Sequence, residues 1–198
     1  MAVAQETSSA SLIEAARTDK MAFSTLFRRY YDEIFRYCAR RLPDRDNAED
    51  AASQVFLKMV SNFDSFTGDE VAFRCWLFRI ACNEINNFYR QTGRQNRLFE
   101  KLQHETACSN ATSTGFSDNE NQAKLQFLRA AVSTLKPNYQ DILTLRFFQG
   151  LTSEQIAEIL GLNPATVRSR LSRSLKHLKK LYRLHQQKIA KEIFSDDA

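Results

Sequence analysis

Apolar residues along this chain recur at helical spacing. Phe23, Leu26, Phe27, Tyr30, Ile34, Tyr37 and Cys38 fall three or four apart and make one continuous stripe. The stretch LPDRDNAED interrupts it, with Pro43 in a turn, Asp46 placed as an N-cap and Glu49 three residues on. Ala52, Val55, Phe56, Met59 and Phe63 make a second stripe, which DSFTGDE breaks around Gly68. Phe73, Trp76, Leu77, Ile80, Ala81, Ile85 and Phe88 make a third. Three amphipathic helices joined by short polar turns pack as a compact bundle.

From Thr92 to about Asn121 the periodicity stops. ETACSNATSTGFSDNENQ is rich in Ser, Thr and Asn and reads as a flexible linker, with a short helix near NRLFEKLQ. Helical spacing returns in LQFLRAAVSTL and in KPNYQDILTLRFF, where Pro137 suits a first helical turn and Gly150 closes the helix. No stretch alternates as a strand does. The expected fold is all-α: two small helical bundles joined by a flexible linker, the second containing a helix-turn-helix. The expected boundaries are an extension over 1–19, a first domain over 20–92, a linker over 93–121, a second domain over 122–186 and a tail over 187–198, which is expected to fray.

The helix-turn-helix lies in LTSEQIAEILGLNPATVRSRLSRSLKHLKKLYR. Thr152 and Gln155 make a capping box, and Ile156, Ala157, Ile159 and Leu160 give the first helix its inner face. Ala157 is small where a second helix crosses closely. Gly161 sits where a left-handed residue ends a helix, followed by Leu162, and Asn163-Pro164 supplies a new N-cap and first residue. On a helical wheel Val167, Leu171, Leu175, Leu178 and Leu181 share an inward stripe. Ser169, Arg173 and Lys176 lie nearly opposite, and Arg168 and Arg170 flank the stripe. The first turns of such a helix enter a major groove, which places Ala165, Thr166, Arg168, Ser169 and Arg173 near base edges and phosphates. Lys176, Lys179 and Lys180 reach phosphate only.

Composition adds weight to this picture mainly through charge placement. The net charge of +5 only permits a polyanionic partner, but no acidic residue occurs between Ile159 and Lys191, a stretch that holds nine Lys and Arg. A hydrophobic content of 43% suffices for packed cores, and five Gly with three Pro favour helices over turn-rich sheet. The four cysteines are scattered without a C-x-x-C pair, which suits reduced thiols in a cytoplasm. His104 and Cys108 lack a second ligand pair, so no metal site is expected. No nucleophile–base pair, P-loop or glycine-rich phosphate cradle is present, so neither catalytic residues nor a cofactor are expected. The first 20 residues lack a signal-peptide core, and no run approaches the ~20 apolar residues of a membrane span, so membrane insertion is not expected.

NAEDAASQVFLKMVSNFDSF, FRCWLFRIACNEINNFYR and LTSEQIAEILGLNPATVRSRLSRSLKHL resemble, in order, segments of the extracytoplasmic-function (ECF) sigma factors of bacterial RNA polymerase. The pattern W-L-x-x-I-x-x-N-x-x-x-[DN]-x-x-R, here Trp76, Leu77, Ile80, Asn83, Asn87 and Arg90, is specific when it precedes such a helix-turn-helix. The resemblance implies a non-catalytic promoter-recognition subunit that binds core polymerase and two promoter elements. It assigns the −35 element to Ala165, Thr166, Arg168, Ser169, Arg170, Arg173 and Lys176. For the −10 element it implies Arg79, Asn83, Asn86, Asn87 and Arg90 on the third helix, where Asn offers a donor and an acceptor and Arg adds phosphate affinity. The loop with Phe63, Asp64, Ser65 and Phe66 corresponds to the family's pocket for an extruded base, with core packing as the competing role for both phenylalanines. Trp76 is expected in the core.

The resemblance further implies that Glu49, Asp50, Gln54 and Lys58 face the clamp helices of the polymerase largest subunit. In place of the family's Gln and acidic residue before Val-Phe, this chain has Ser53-Gln54-Val55-Phe56, which removes one carboxylate from that contact. An anti-sigma factor or other regulator is a further implied partner. Two alternatives stay open on sequence alone: a standalone helix-turn-helix regulator, and a sigma-mimicking protein-interaction module.

Overall fold

The computed structural model describes residues 9–102 and 127–195, with side chains over 12–93 and 127–187. Among the described residues four helices come before residue 103: α1 (Ser9–Ala15), α2 (Lys20–Arg41), α3 (Arg45–Asn62) and α4 (Glu70–Leu102), with a 3-10 turn over Phe63–Ser65. After residue 126 come α5 (127–133), α6 (Pro137–Phe147), α7 (Ser153–Leu160) and α8 (Pro164–Ser195). Among the described residues there is no strand, and the fold is all-α.

The predicted stripes are the buried faces. Leu26, Tyr30, Ile34, Tyr37 and Cys38 of α2 meet Ala52, Val55, Phe56 and Met59 of α3 and Phe73, Leu77, Ala81 and Ile85 of α4 in one core. Asp19 caps α2 by accepting from the Met21 N–H at 2.8 Å. The cap of α3 is not Asp46. Asp44 holds the extended backbone of a cap and accepts from the Asn47 N–H at 2.8 Å, which places Asp46 inside the first turn, where its charge complements the helix dipole. Glu49 consequently pairs with Arg45 at 2.6 Å rather than closing a capping box. Gly68, at φ +143°, lets the loop close onto α4, since a Cβ there would stand 2.8 Å from that of Ala72.

α4 runs unbroken to Leu102, ten residues past the expected end of the first domain, so the helix expected near NRLFEKLQ is the continuation of α4 and not a separate element. An exposed helical glycine costs only about 1 kcal/mol against Ala, and Gly93 is followed by Arg, Gln, Leu, Glu and Lys, which are good helix formers. The rest of the expected linker, with His104 and Cys108, lies outside the described residues.

The two bundles pack against each other through α2 with α6 and α4 with α7. At the first contact Arg41 and Asp141 are both buried, with side chains 2% and 3% exposed. The Arg41 Nε donates to Asp141 Oδ1 at 2.9 Å, and the Tyr37 hydroxyl donates to the same oxygen at 3.2 Å. Arg41 also reaches Gln140 and the Pro137 carbonyl. Burial pushes the Asp141 carboxyl above its ordinary range, and the Arg41 guanidinium partly offsets that rise. Nearby, Arg74 joins Glu33 to the Gln149 carbonyl.

Candidate nucleic-acid interface

The turn between α7 and α8 is built by local hydrogen bonds. The Thr152 hydroxyl accepts from the Gln155 N–H at 3.2 Å, and the Gln155 amide oxygen accepts from the Thr152 N–H at 2.8 Å. Gly161 ends α7 in the left-handed conformation (φ +63°, ψ +39°), and the Leu162 N–H returns to the Ala157 carbonyl at 2.8 Å. Asn163 then caps α8 by accepting from the Ala165 N–H at 2.8 Å. Ile156, Ala157 and Ile159 of α7 and Val167 of α8 are buried where the two helices cross.

This construction leaves the start of α8 open. Ala165, Arg168, Ser169, Arg173 and Lys176 are exposed, and Thr166 is half-buried. Arg168 also pairs with Glu154 of α7 at 3.3 Å. Arg170 is half-buried, with its guanidinium 6.0 Å from the Tyr139 ring centroid, so it faces α6 more than solvent. The inward stripe needs one correction: Leu175 is 43% exposed, while Ser174 is buried with its hydroxyl bonded to the Arg170 carbonyl. At 100° per residue Ser174 lies about 20° from the direction of Val167, whereas Leu175 lies about 80° away, at the edge of the seam.

In the first bundle, Arg79, Asn83, Asn86, Asn87 and Arg90 share one face of α4. All are exposed except the half-buried Asn87, whose amide oxygen accepts from Arg90 at 2.9 Å. Arg79 points to the other bundle, donating to the Glu158 carbonyl at 2.9 Å. In the preceding loop Asp64 and Ser65 are exposed, but Phe63 and Phe66 are buried. The Phe66 ring stacks on half-buried Trp76 at 5.1 Å, and Phe63 meets Phe73 edge-on at 6.0 Å. Both phenylalanines therefore serve as core, and what the loop offers outward is Asp64, Ser65 and backbone.

Arg17 was invisible in the sequence pattern, where it falls in the N-terminal extension. Its guanidinium donates to the carbonyls of Phe63, Asp64 and Phe66. Along α3, Asp50, Gln54 and Lys58 are exposed and Glu49 is half-buried. Exposed Leu57 adds an apolar centre to that face, and Lys58 pairs with Glu84 at 2.5 Å. Among the described residues no cluster could hold a metal ion, and no helix is long and apolar enough to cross a membrane.

The family model for sigma-70 region 2 matches residues 26–95, and that for sigma-70 region 4 matches residues 126–178. The chain is 34% identical over 159 residues to RNA polymerase sigma factor YlaC of Bacillus subtilis (strain 168), covering 78% of this chain and 88% of that protein. It is 32% identical over 162 residues to the ECF RNA polymerase sigma-E factor of Escherichia coli (strain K12), covering 79% and 84%. Its fold is similar to that of CnrH solved in complex with the cytosolic domain of CnrY (TM-score 0.65, 19% identity, 89% of this chain and 97% of that one). It is also similar to the sigma factor RpoE in complex with the anti-sigma factor NepR from Bartonella quintana (TM-score 0.64, 24% identity, 81% and 96%).

Proposed function

The chain belongs to the sigma-70 family of RNA polymerase sigma factors, with regions 2 and 4 on one polypeptide, and from that premise we propose how its surfaces divide the work. It is an alternative sigma factor of the ECF kind: it binds core polymerase, recognises a −35 and a −10 element and promotes initiation of transcription. The first turns of α8 read the −35 element through Thr166, Arg168, Ser169 and Arg173, with Ala165 allowing close approach. Lys176 holds phosphate, and Arg170 supports the reader from its place over Tyr139. Asn83, Asn86, Asn87 and Arg90 of α4, with Asp64 and Ser65 of the loop, face the −10 element. Arg79 joins them once it leaves Glu158. The α3 face around Asp50, Gln54, Leu57 and Lys58 docks on the polymerase clamp, with Glu49 at its edge. An anti-sigma factor or other regulator is the further partner this reading implies.

The observation that carries the reading is the coexistence of two open polar faces on one chain. One is a capped, basic reader helix, and the other is an asparagine-rich face on a second bundle. Each bundle offers modest affinity alone, and joining them raises the effective concentration of the second contact. The test is to combine the chain with bacterial core RNA polymerase and a genomic DNA library, then sequence the run-off transcripts. Transcripts that share an upstream pair of elements, absent with core alone, are expected. Absence of promoter-specific transcripts, together with failure of core to retain the protein, overturns the reading.

A further inference from the structure

We propose that Arg17, in the turn joining α1 to α2, is a positioning residue for the loop Phe63–Phe66, a role that rests on reading this loop as part of the −10 surface. The last turn of α3 contains no basic residue. Helix C-termini leave carbonyls without intrahelical partners and carry partial negative charge, so such an end gains from a cation supplied elsewhere.

Arg17 supplies it from the N-terminal segment. Its Nη1 donates to the Phe63 carbonyl at 3.4 Å and to the Asp64 carbonyl at 3.2 Å, and its Nη2 donates to the Phe66 carbonyl at 2.5 Å. Its Nε is held by the Glu14 carboxylate at 3.1 Å, and its guanidinium carbon stands 5.7 Å from the Phe63 ring centroid. One planar fork thus ties together three carbonyls of the loop while its Nε holds Glu14, whereas an ammonium presents its three donors from a single point and cannot span the same set. The rings of Phe63 and Phe66 anchor the loop from the core side. With both anchors in place, Asp64 and Ser65 are the side chains left facing outward in a fixed frame. The region 2 match begins at residue 26, so this clamp is contributed by the segment that precedes it.

The test uses holoenzyme assembled from the full chain and core polymerase. The probe is fork-junction DNA from a promoter recovered in the transcription experiment, with each single-stranded −10 position changed to all four bases. Arg17→Ala is expected to lower affinity for the preferred sequence roughly tenfold and to flatten base preference at one position. Binding to core and to duplex −35 DNA is expected to stay within about twofold, because neither surface includes the loop. Arg17→Lys, which keeps the charge and loses the fork, should resemble Arg17→Ala. Full recovery in Arg17→Lys, or parallel loss of all three binding activities in both variants, overturns the clamp. If wild-type holoenzyme discriminates bases and Arg17→Ala does so equally well, the clamp alone is refuted. If wild-type holoenzyme shows no preference in the single-stranded element, the reading of the loop falls and the clamp with it.

Discussion

Cys38, Tyr37 and Cys82 are buried at the seam between α2 and α4, where the Tyr37 hydroxyl lies 3.0 Å from the Cys82 sulfur. Burial disfavours their charged forms, pushing the Cys38 thiol up to about 12 and raising Tyr37 and Cys82 as well. An unfolded chain releases these protons at ordinary values while the folded one retains them. The stability they contribute is therefore full below the unfolded thiol value and is lost as pH rises from there towards the folded one. The midpoint of thermal unfolding should hold steady to about pH 8.5 and fall above it, as a calorimetric series across alkaline pH would record. Native protein at pH 8 should also resist thiol alkylation at Cys38 and Cys82, and rapid labelling there would show that the seam opens. That these cysteines would be buried free thiols was partly readable, since Cys38 fell on an apolar stripe. Arg17 was not readable, because its partners are backbone carbonyls far along the chain and carbonyls leave no mark in a sequence.

Among the elements, those bounded by local chemistry were the most legible. The capping box at Thr152, the left-handed Gly161 and the cap at Asn163 all act within a few residues, so each could be placed from residue type alone. Gly161 offers a clean test, because a Cβ added there meets nothing within 4 Å and the cost of Gly161→Ala is conformational only. A loss of about 1–2 kcal/mol is expected in chemical denaturation of the full chain, with −35 duplex binding weakened as the angle of the reader helix relaxes. Gly161→Asn should cost less, since Asn tolerates this backbone region. Where several neighbouring residues compete for one role, the sequence was a poorer guide. Asp44 rather than Asp46 caps α3, and Ser174 rather than Leu175 lies over the seam. The helix expected near NRLFEKLQ is continuous with α4 through Gly93, because glycine weakens a helix without ending it.

Across the whole molecule, the contact between the bundles had no local signature. Asp141 sits in a helix whose sequence gives no sign that a carboxylate will be buried, and its partner Arg41 is a hundred residues earlier. Removing one member of such a pair leaves the other charge buried without compensation, at a cost of about 3–5 kcal/mol. Asp141→Asn is thus expected to separate the bundles while leaving each folded, seen in small-angle scattering as a larger radius of gyration with helical content unchanged. A radius that does not change would mean the contact survives without its ion pair. α8 continues to Ser195, through most of the tail expected to fray, and that continuity has a different and practical consequence. Its exposed first turns and its exposed residues Gln186 and Gln187 lie on one helix, separated by roughly 33 Å at 1.5 Å per residue. A rigid rod of that length works as a pointer: a fluorophore or spin label fixed at Gln187 converts a small tilt of the first turns into a displacement large enough to measure, and so reports the angle at which the protein holds its promoter.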